Sequence, residues 1–217
     1  MNELSPEKIA AMRVDYSLKV FDETHVLANP IEQFKSWFTE AVNANVNEPN
    51  AMTLATVKPN NTPSARIVLL KGFSENGFTF FTNYDSHKGE QLGLNNHVAL
   101  VFCWLELQRQ VRIEGTVTKL SDKENDEYFY SRPLGSQIGA IASPQSKVIA
   151  GRHILEQNYT LVESELHLKE PERPLNWGGY LVEPTLIEFW QGRSSRLHDR
   201  FEFIKTGNTW AKNRLAP

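Results

Sequence analysis

The sequence predicts an α+β protein in which an antiparallel sheet, a small barrel or sandwich, is split around a helical insertion. Three observations predict it. Runs rich in β-branched and aromatic residues follow one another between Ala51 and Leu120, joined by connections too tight for parallel crossovers. Segments with helical spacing precede and follow that series. From Trp177 onward the chain returns to strand-like runs.

Residues 1–28 read as a peripheral tail. Pro6–Leu18 has a weak helical pattern, and Arg13 and Tyr16, three apart, share a face if it is helical. A firmer helix starts where Asn29 caps, Pro30 takes the first position and Glu32 has capping-box spacing. Phe34, Trp37, Phe38, Ala41 and Val42 form its apolar face. Strands follow at Met52–Val57, Arg66–Leu70, Phe78–Thr82, Val98–Trp104 and Gln110–Leu120. Lys58-Pro59-Asn60-Asn61 and Ser74-Glu75-Asn76-Gly77 mark turns, and a short helix from His87 to Leu94 takes Asp85 or Ser86 as its cap. Ser121-Asp122-Lys123-Glu124 is a capping box for a helix ending at Ser131, because Pro133 disfavours helix at Arg132. Leu134–Ser146, rich in small residues, reads as a loop. An amphipathic helix over Val148–Leu168 follows, with Ile154, Leu155, Leu161, Val162 and Leu166 apolar, until Pro171 and Pro174 end it. The closing strands are Trp177–Val182, Leu186–Trp190, Phe201–Ile204 and Thr209–Arg214.

Bulk properties narrow the function. With 217 residues, 40% hydrophobic and 23% charged, the chain is of ordinary globular composition. A formal charge of −3 gives no general attraction to nucleic acid or anionic membrane, so anion binding must be local. The single cysteine, Cys103, excludes an intrachain disulfide and reads as a small buried hydrophobe. No apolar run is long enough to span a membrane and no signal peptide is visible, which places the protein in the cytoplasm. No metal-ligand spacing, nucleophile elbow, Walker loop or dinucleotide fingerprint occurs, so the chemistry points to an organic cofactor.

Candidate binding residues cluster in several places. Trp190–Arg200, W-Q-G-R-S-S-R-L-H-D-R, holds three arginines, a histidine, an aspartate and a tryptophan, a set suited to a planar anion. Alone it reads as a solvated turn. His198 and Asp199 are sequence neighbours whose side chains diverge on a strand, which excludes a triad. Arg66, Thr82, His87 and Lys88 assemble into a phosphate cradle if the strands pair and the helix after Ser86 presents its N-terminus. Tyr128, Arg132 and Ser136 recur every four residues, with Ser136 beyond Pro133. Gln145-Ser146 precedes the long helix, where Ser146 caps it or binds ligand, and Gln110 faces either a heterocycle or water.

Together these motifs resemble the bacterial pyridoxine/pyridoxamine 5′-phosphate oxidase family over nearly the whole chain. The resemblance rests on R-I-V-L-L-K at Arg66–Lys71, F-T-N at Phe81–Asn83, S-R-P and S-Q-I-G within Ser131–Gly139, and Q-S at Gln145-Ser146. W-G-G at Trp177–Gly179, F-W-Q-G, R-L-H-D-R and the closing R-L-A-P complete it. It implies an FMN-binding split β-barrel with flanking helices, a homodimer with FMN at the subunit interface, and a lid-like segment 1–28 ahead of one domain over 29–217.

By the resemblance, FMN is held by Arg66, Ile67, Val68, Leu69, Leu70, Lys71, Phe81, Thr82, His87, Lys88, Gln110, Gln145, Ser146, Trp190 and Arg200. The substrate meets Arg13, Tyr16, Lys71, Tyr128, Arg132, Ser136, Arg196, Leu197 and His198, with Arg196 and His198 as the catalytic pair at the pyridine ring. The implied reaction oxidises pyridoxamine or pyridoxine 5′-phosphate to pyridoxal 5′-phosphate, with oxygen as acceptor and hydrogen peroxide as product. Two departures stand out: Phe81 replaces a frequent Tyr, and His87 a frequent Arg. The second implies an FMN affinity that weakens as pH rises through neutrality, more than in a His87→Arg variant. The alternatives are an FMN or pyridoxal-phosphate binding protein without turnover, and a split-barrel flavin reductase; neither accounts as well for the second phosphate cluster.

Overall fold

The computed structural model describes residues 5–166 and 170–217. Helices α1 (Pro6–Ala10) and α2 (Pro30–Asn43) precede strands β1 (Ala51–Val57), β2 (Pro63–Leu69), β3 (Gly72–Ser74) and β4 (Gly77–Asn83). Next come α3 (His87–Leu94), β5 (His97–Trp104), β6 (Arg109–Lys119), α4 (Asp122–Ser131), α5 (Leu134–Ala142) and α6 (Arg152–Glu165). The chain closes on β7 (Trp177–Gln191), β8 (Asp199–Thr206) and β9 (Thr209–Leu215). It divides into two compact units, Met1–Pro49 with Phe102–Arg112 and Leu186–Pro217, and Asn50–Val101 with Ile113–Thr185.

In the second unit the strand order is β2-β1-β5-β6-β7-β4-β3, built from antiparallel neighbours such as Leu54↔Arg66 and Phe81↔Gly179. Met52, Leu54 and Thr56 alternate inward along β1, and Phe78, Phe80, Leu100, Ile113 and Val182 share that core. In the first unit β8 pairs with both β7 and β9. Its core is aromatic: Phe21 lies 4.7 Å from Trp37 and 5.3 Å from Phe201, centre to centre, and Trp37 lies 5.2 Å from Phe189.

Several helix ends match their sequence signals. Asn29 caps α2 through the Ile31 and Glu32 N–H groups, Ser86 caps α3, and the Ser121–Glu124 box closes on α4. Other expectations need correction. The first helix stops at Ala10, so Arg13 and Tyr16 are not on a helix. Of the small-residue stretch Leu134–Ser146, Leu134–Ala142 is helix α5, because Gln137, Ile138 and Ala142 give it a buried face, while 143–146 is loop as expected. The long helix starts at Arg152, behind Gly151, so Ser146 does not cap it; it ends at Glu165, and the last two residues expected in it lie outside the described residues. None of its described residues is buried, and Leu161 is 60% exposed.

Two strand runs expected separately are one strand, β7. Pro184 falls between two of the antiparallel pairings of β7, since pairing with β4 reaches only to Val182 and pairing with β8 begins at Leu186. Cys103 is exposed: Val98, Leu100, Phe102 and Trp104 take the inward face of β5, and the cysteine falls on the other.

Candidate functional site

Two cavities, one in each unit, gather most of the residues singled out above. The cavity in the second unit has a volume of about 490 Å³. The end of β2 supplies Ile67, Val68 and Leu69, followed by Lys71, while β4 supplies Phe81, Thr82 and Asn83. Lys88 from α3, Tyr128 from α4, Arg132, Ser136 and Gln145 complete the polar lining. The Lys88 ammonium donates to Thr82 Oγ1 at 2.9 Å and to Gln145 Oε1 at 2.7 Å. Desolvation, with repulsion from Arg66 second, pulls its pKa down to about 8.

Arg66 stands beside this cavity, gripped by Thr56 Oγ1 at 2.6 Å, Ser64 Oγ at 2.9 Å and Gln91 Oε1 at 3.1 Å. The register produces that grip, because Arg66 and Ser64 share a face of β2 and lie opposite Leu54 and Thr56. On the other side, Tyr128 stacks on Phe81 with ring centres 3.8 Å apart, and Trp177 extends the stack. The Arg132 guanidinium sits 4.6 Å from the centre of the Trp177 ring, and burial pushes its pKa down. Its Nη1 is buried without a hydrogen-bond partner among the described residues, a donor left open for a ligand oxygen.

The cavity in the first unit, about 570 Å³, is lined by Met12–Tyr16 together with Arg193, Ser195, Arg196 and His198. His198 lies over Trp190, 4.5 Å between centres, and Tyr16 meets the same Trp edge-on at 5.8 Å. The Arg193 N–H donates to His198 Nδ1 at 3.1 Å, so a neutral His198 carries its proton on Nε2. Burial, and then the nearby Arg196 and Arg200 charges, lower its pKa. Ser195 and Arg196 both have left-handed backbone, φ 58° and 61°, in the turn between β7 and β8.

Other expected residues fall elsewhere. His87 is exposed and lines a separate groove with Lys58, Pro59, Asn60 and Glu90. Leu70 is buried in the core. Ser146 is exposed at φ 69°, Leu197 is 70% exposed, and Gln110 is half-buried on β6. Arg200 is engaged by Glu188 at 2.8 Å and by the Ala216 carbonyl at 2.8 Å. Arg193, which the resemblance left without a site role, holds the buried Asp199 at 2.8 Å, with Arg214 on the second carboxylate oxygen at 2.6 Å. Sequence reasoning missed the partners that fix these cations: Thr56, Ser64, Gln91, Glu188 and Asp199. Alternation along a strand was the one signal for those on strands, and it needs the register to be read; Gln91, on α3, had none.

Comparison with known proteins bears on the fold and the family. Similarity to a pyridoxamine 5′-phosphate oxidase-related, FMN-binding protein from Nostoc punctiforme, at TM-score 0.67 and 18% identity over 87% of this chain and 98% of that one, establishes the fold. It is the antiparallel split barrel with flanking helices. PhzG from Burkholderia lata, solved with tetrahydrophenazine-1-carboxylic acid, matches at TM-score 0.86 and 30% identity, covering 93% of this chain and all (100%) of its own.

Residues 38–165 match the family model for pyridoxamine 5′-phosphate oxidase, and residues 177–217 that for the pyridoxine 5′-phosphate oxidase C-terminal dimerisation region. The pyridoxine/pyridoxamine 5′-phosphate oxidase of Cyanothece sp. is 54% identical over 96% of this chain and 98% of its own. That of Salinibacter ruber is 53% identical over 97% and 99%. The chain belongs to the pyridoxine/pyridoxamine 5′-phosphate oxidase family and is an oxidoreductase. The dimerisation-region match supports a homodimer. Among the described residues no helix is long and apolar enough to cross a membrane, and no group of His, Cys, Asp or Glu is arranged to hold a metal.

Proposed function

We propose that this protein oxidises pyridoxamine 5′-phosphate or pyridoxine 5′-phosphate to pyridoxal 5′-phosphate, using FMN bound at the interface of a homodimer. The observation that carries the reading is the buried, unpartnered Nη1 of Arg132 in a cavity also lined by Lys71, Tyr128 and Ser136. A phosphate supplies the acceptor that this donor lacks. The same cavity contains Lys88 with Thr82 and Gln145, beside Arg66, so its donors suit two phosphates. An FMN-only carrier has no use for the second set. The flavin fits the donor chemistry: Lys88 and Arg66 are cations held partly out of water, which an anionic group stabilises.

Bound FMN supplies a two-electron acceptor that oxygen restores, giving hydrogen peroxide. The chain's task is orientation. Arg132, Tyr128, Ser136 and Lys71 hold the substrate phosphate, and Lys88, Thr82, Gln145 and Arg66 the cofactor end. Arg196 lies against the pyridine, and neutral His198 donates from Nε2 to the 4′ substituent. Residues 1–28 act as a lid, with Arg13 and Tyr16 over the cavity that Arg196 and His198 line. The amine route consumes one water and one oxygen and releases ammonia and peroxide with the aldehyde; the alcohol route needs no water and releases no ammonia.

PhzG's crystallographic ligand, a carboxylic acid named without a phosphate, marks the competing reading. The test is to purify the protein with FMN, record the bound-flavin spectrum, and add pyridoxamine 5′-phosphate under air while following peroxide. Peroxide formed with the aldehyde supports the proposal. Bound flavin without turnover supports a carrier, and absence of flavin binding overturns the reading.

A further inference from the structure

The segment from Met12 to Val20 has no helix or strand, yet it lies docked against the first unit. Its extended N–H groups need partners. Ser17 and Leu18 both donate to one atom, Gln108 Oε1, at 3.1 and 3.3 Å. Because both neighbours are N–H donors, the amide oxygen must face them.

Gln108 is held for this purpose. It sits in the turn between β5 and β6 with φ 54°, left-handed backbone that a glutamine adopts only under constraint. Its carbonyl accepts from the Gly192 N–H at 2.8 Å and from Gln191 Nε2 at 3.2 Å. A second clasp is Ser194, four residues after Trp190 in the sequence, whose hydroxyl lies 3.1 Å from Asp15 Oδ2 and 3.1 Å from the Tyr16 carbonyl. Between the clasps, a Cβ on Gly192 would come within 2.8 Å of the Tyr16 ring and 3.1 Å of Gln108 Cβ. Past the strap, the Phe21 N–H is fixed to Asp199 Oδ2 at 3.0 Å.

We propose that Gln108, seconded by Ser194, is a positioning residue that keeps this strap docked before any ligand arrives, so that Arg13 and Tyr16 already face His198. Neither residue reaches the reacting atoms; both act through the strap. The inference rests on the proposed substrate reading only for its kinetic arm, since docking itself is measurable without turnover.

The test is limited trypsin cleavage after Arg13 and Lys19 in the full-length protein, paired with steady-state kinetics on pyridoxamine 5′-phosphate. Gln108→Leu is expected to be cleaved roughly tenfold faster at these sites, as expected for losing a pair of hydrogen bonds. Its KM should rise several-fold with kcat held within about twofold, whereas Gln108→Glu, which keeps the acceptor, stays close to wild type. Unchanged cleavage in Gln108→Leu overturns the proposal. If that variant fails to fold, Ser194→Ala carries the same comparison, and unchanged cleavage there overturns it equally. A wild-type protein that does not oxidise the substrate defeats the functional reading while the cleavage rates still decide the clasp.

Discussion

Lys88 and His198 are site residues whose charge the fold adjusts, as it also does at Arg66 and Arg132. With its folded pKa at about 8 against an ordinary 10.5, Lys88 favours the fold above the higher value, and that contribution is lost as pH falls through the lower. Phosphate binding needs the charged form. FMN affinity, followed by quenching of flavin fluorescence, is therefore expected to weaken as pH rises past about 8. Lys88→Met should weaken it roughly ten- to hundredfold and flatten that pH dependence. His87→Ala should leave both unchanged, because His87 lines a separate groove; the pH effect expected of His87 from sequence thus moves to its neighbour. At His198, burial and the flanking arginines lower the pKa, so the acid limb of kcat/KM should lie below 6.5. In Arg196→Ala, whatever activity survives should show that limb shifted upward, towards the ordinary value.

At the scale of the element, the N-terminus of α3 decides where Lys88 points. A Cβ on Gly89 would stand 2.1 Å from the Tyr84 carbonyl oxygen, so nothing larger than glycine fits without moving the helix. Gly89→Ala is expected to cost about 1–3 kcal/mol in urea unfolding and to weaken FMN binding as well. Ser121→Ala removes the α4 cap and should cost about 1 kcal/mol with no loss of flavin affinity. The pair separates damage to a site-bearing helix end from damage to an ordinary one. Helix starts with a capping side chain were legible in the sequence because the signal is local: Asn29, Ser86 and Ser121 each satisfy N–H groups within three residues. Helix α5 was not, because its burial comes from contacts that small residues do not announce. Strand β7 looked interrupted at Pro184 because a proline within a run reads as a break until the pairings that flank it are known.

For the molecule as a whole, the basic residues of the site and the amide of Gln145 were legible, whereas most of the partners that hold the cations, Glu188 among them, were not. Arginine and lysine bracketing apolar runs stand out in any sequence, whereas Glu188 looks like one more alternating polar residue until β7 is paired. Glu188 is 3% exposed and faces Arg112 at 2.7 Å and Arg200 at 2.8 Å. Glu188→Ala should lower stability by about 1–3 kcal/mol, measured by chemical unfolding, since it leaves two half-buried positive charges without their shared carboxylate. Long-range order of this kind emerges only from the assembled sheet. The chain crosses between its two units inside β5, β6 and β7, so neither unit is a continuous stretch of sequence.

The empty side of Gly192 carries an evolutionary consequence. Positions 16, 108 and 192 come from three distant parts of the chain but occupy one small volume. A descendant could gain a side chain at 192 only after losing the ring at 16, and a reversal would have to retrace the same order. Substitutions at these positions should therefore be inherited together, with glycine at 192 wherever an aromatic residue stands at 16.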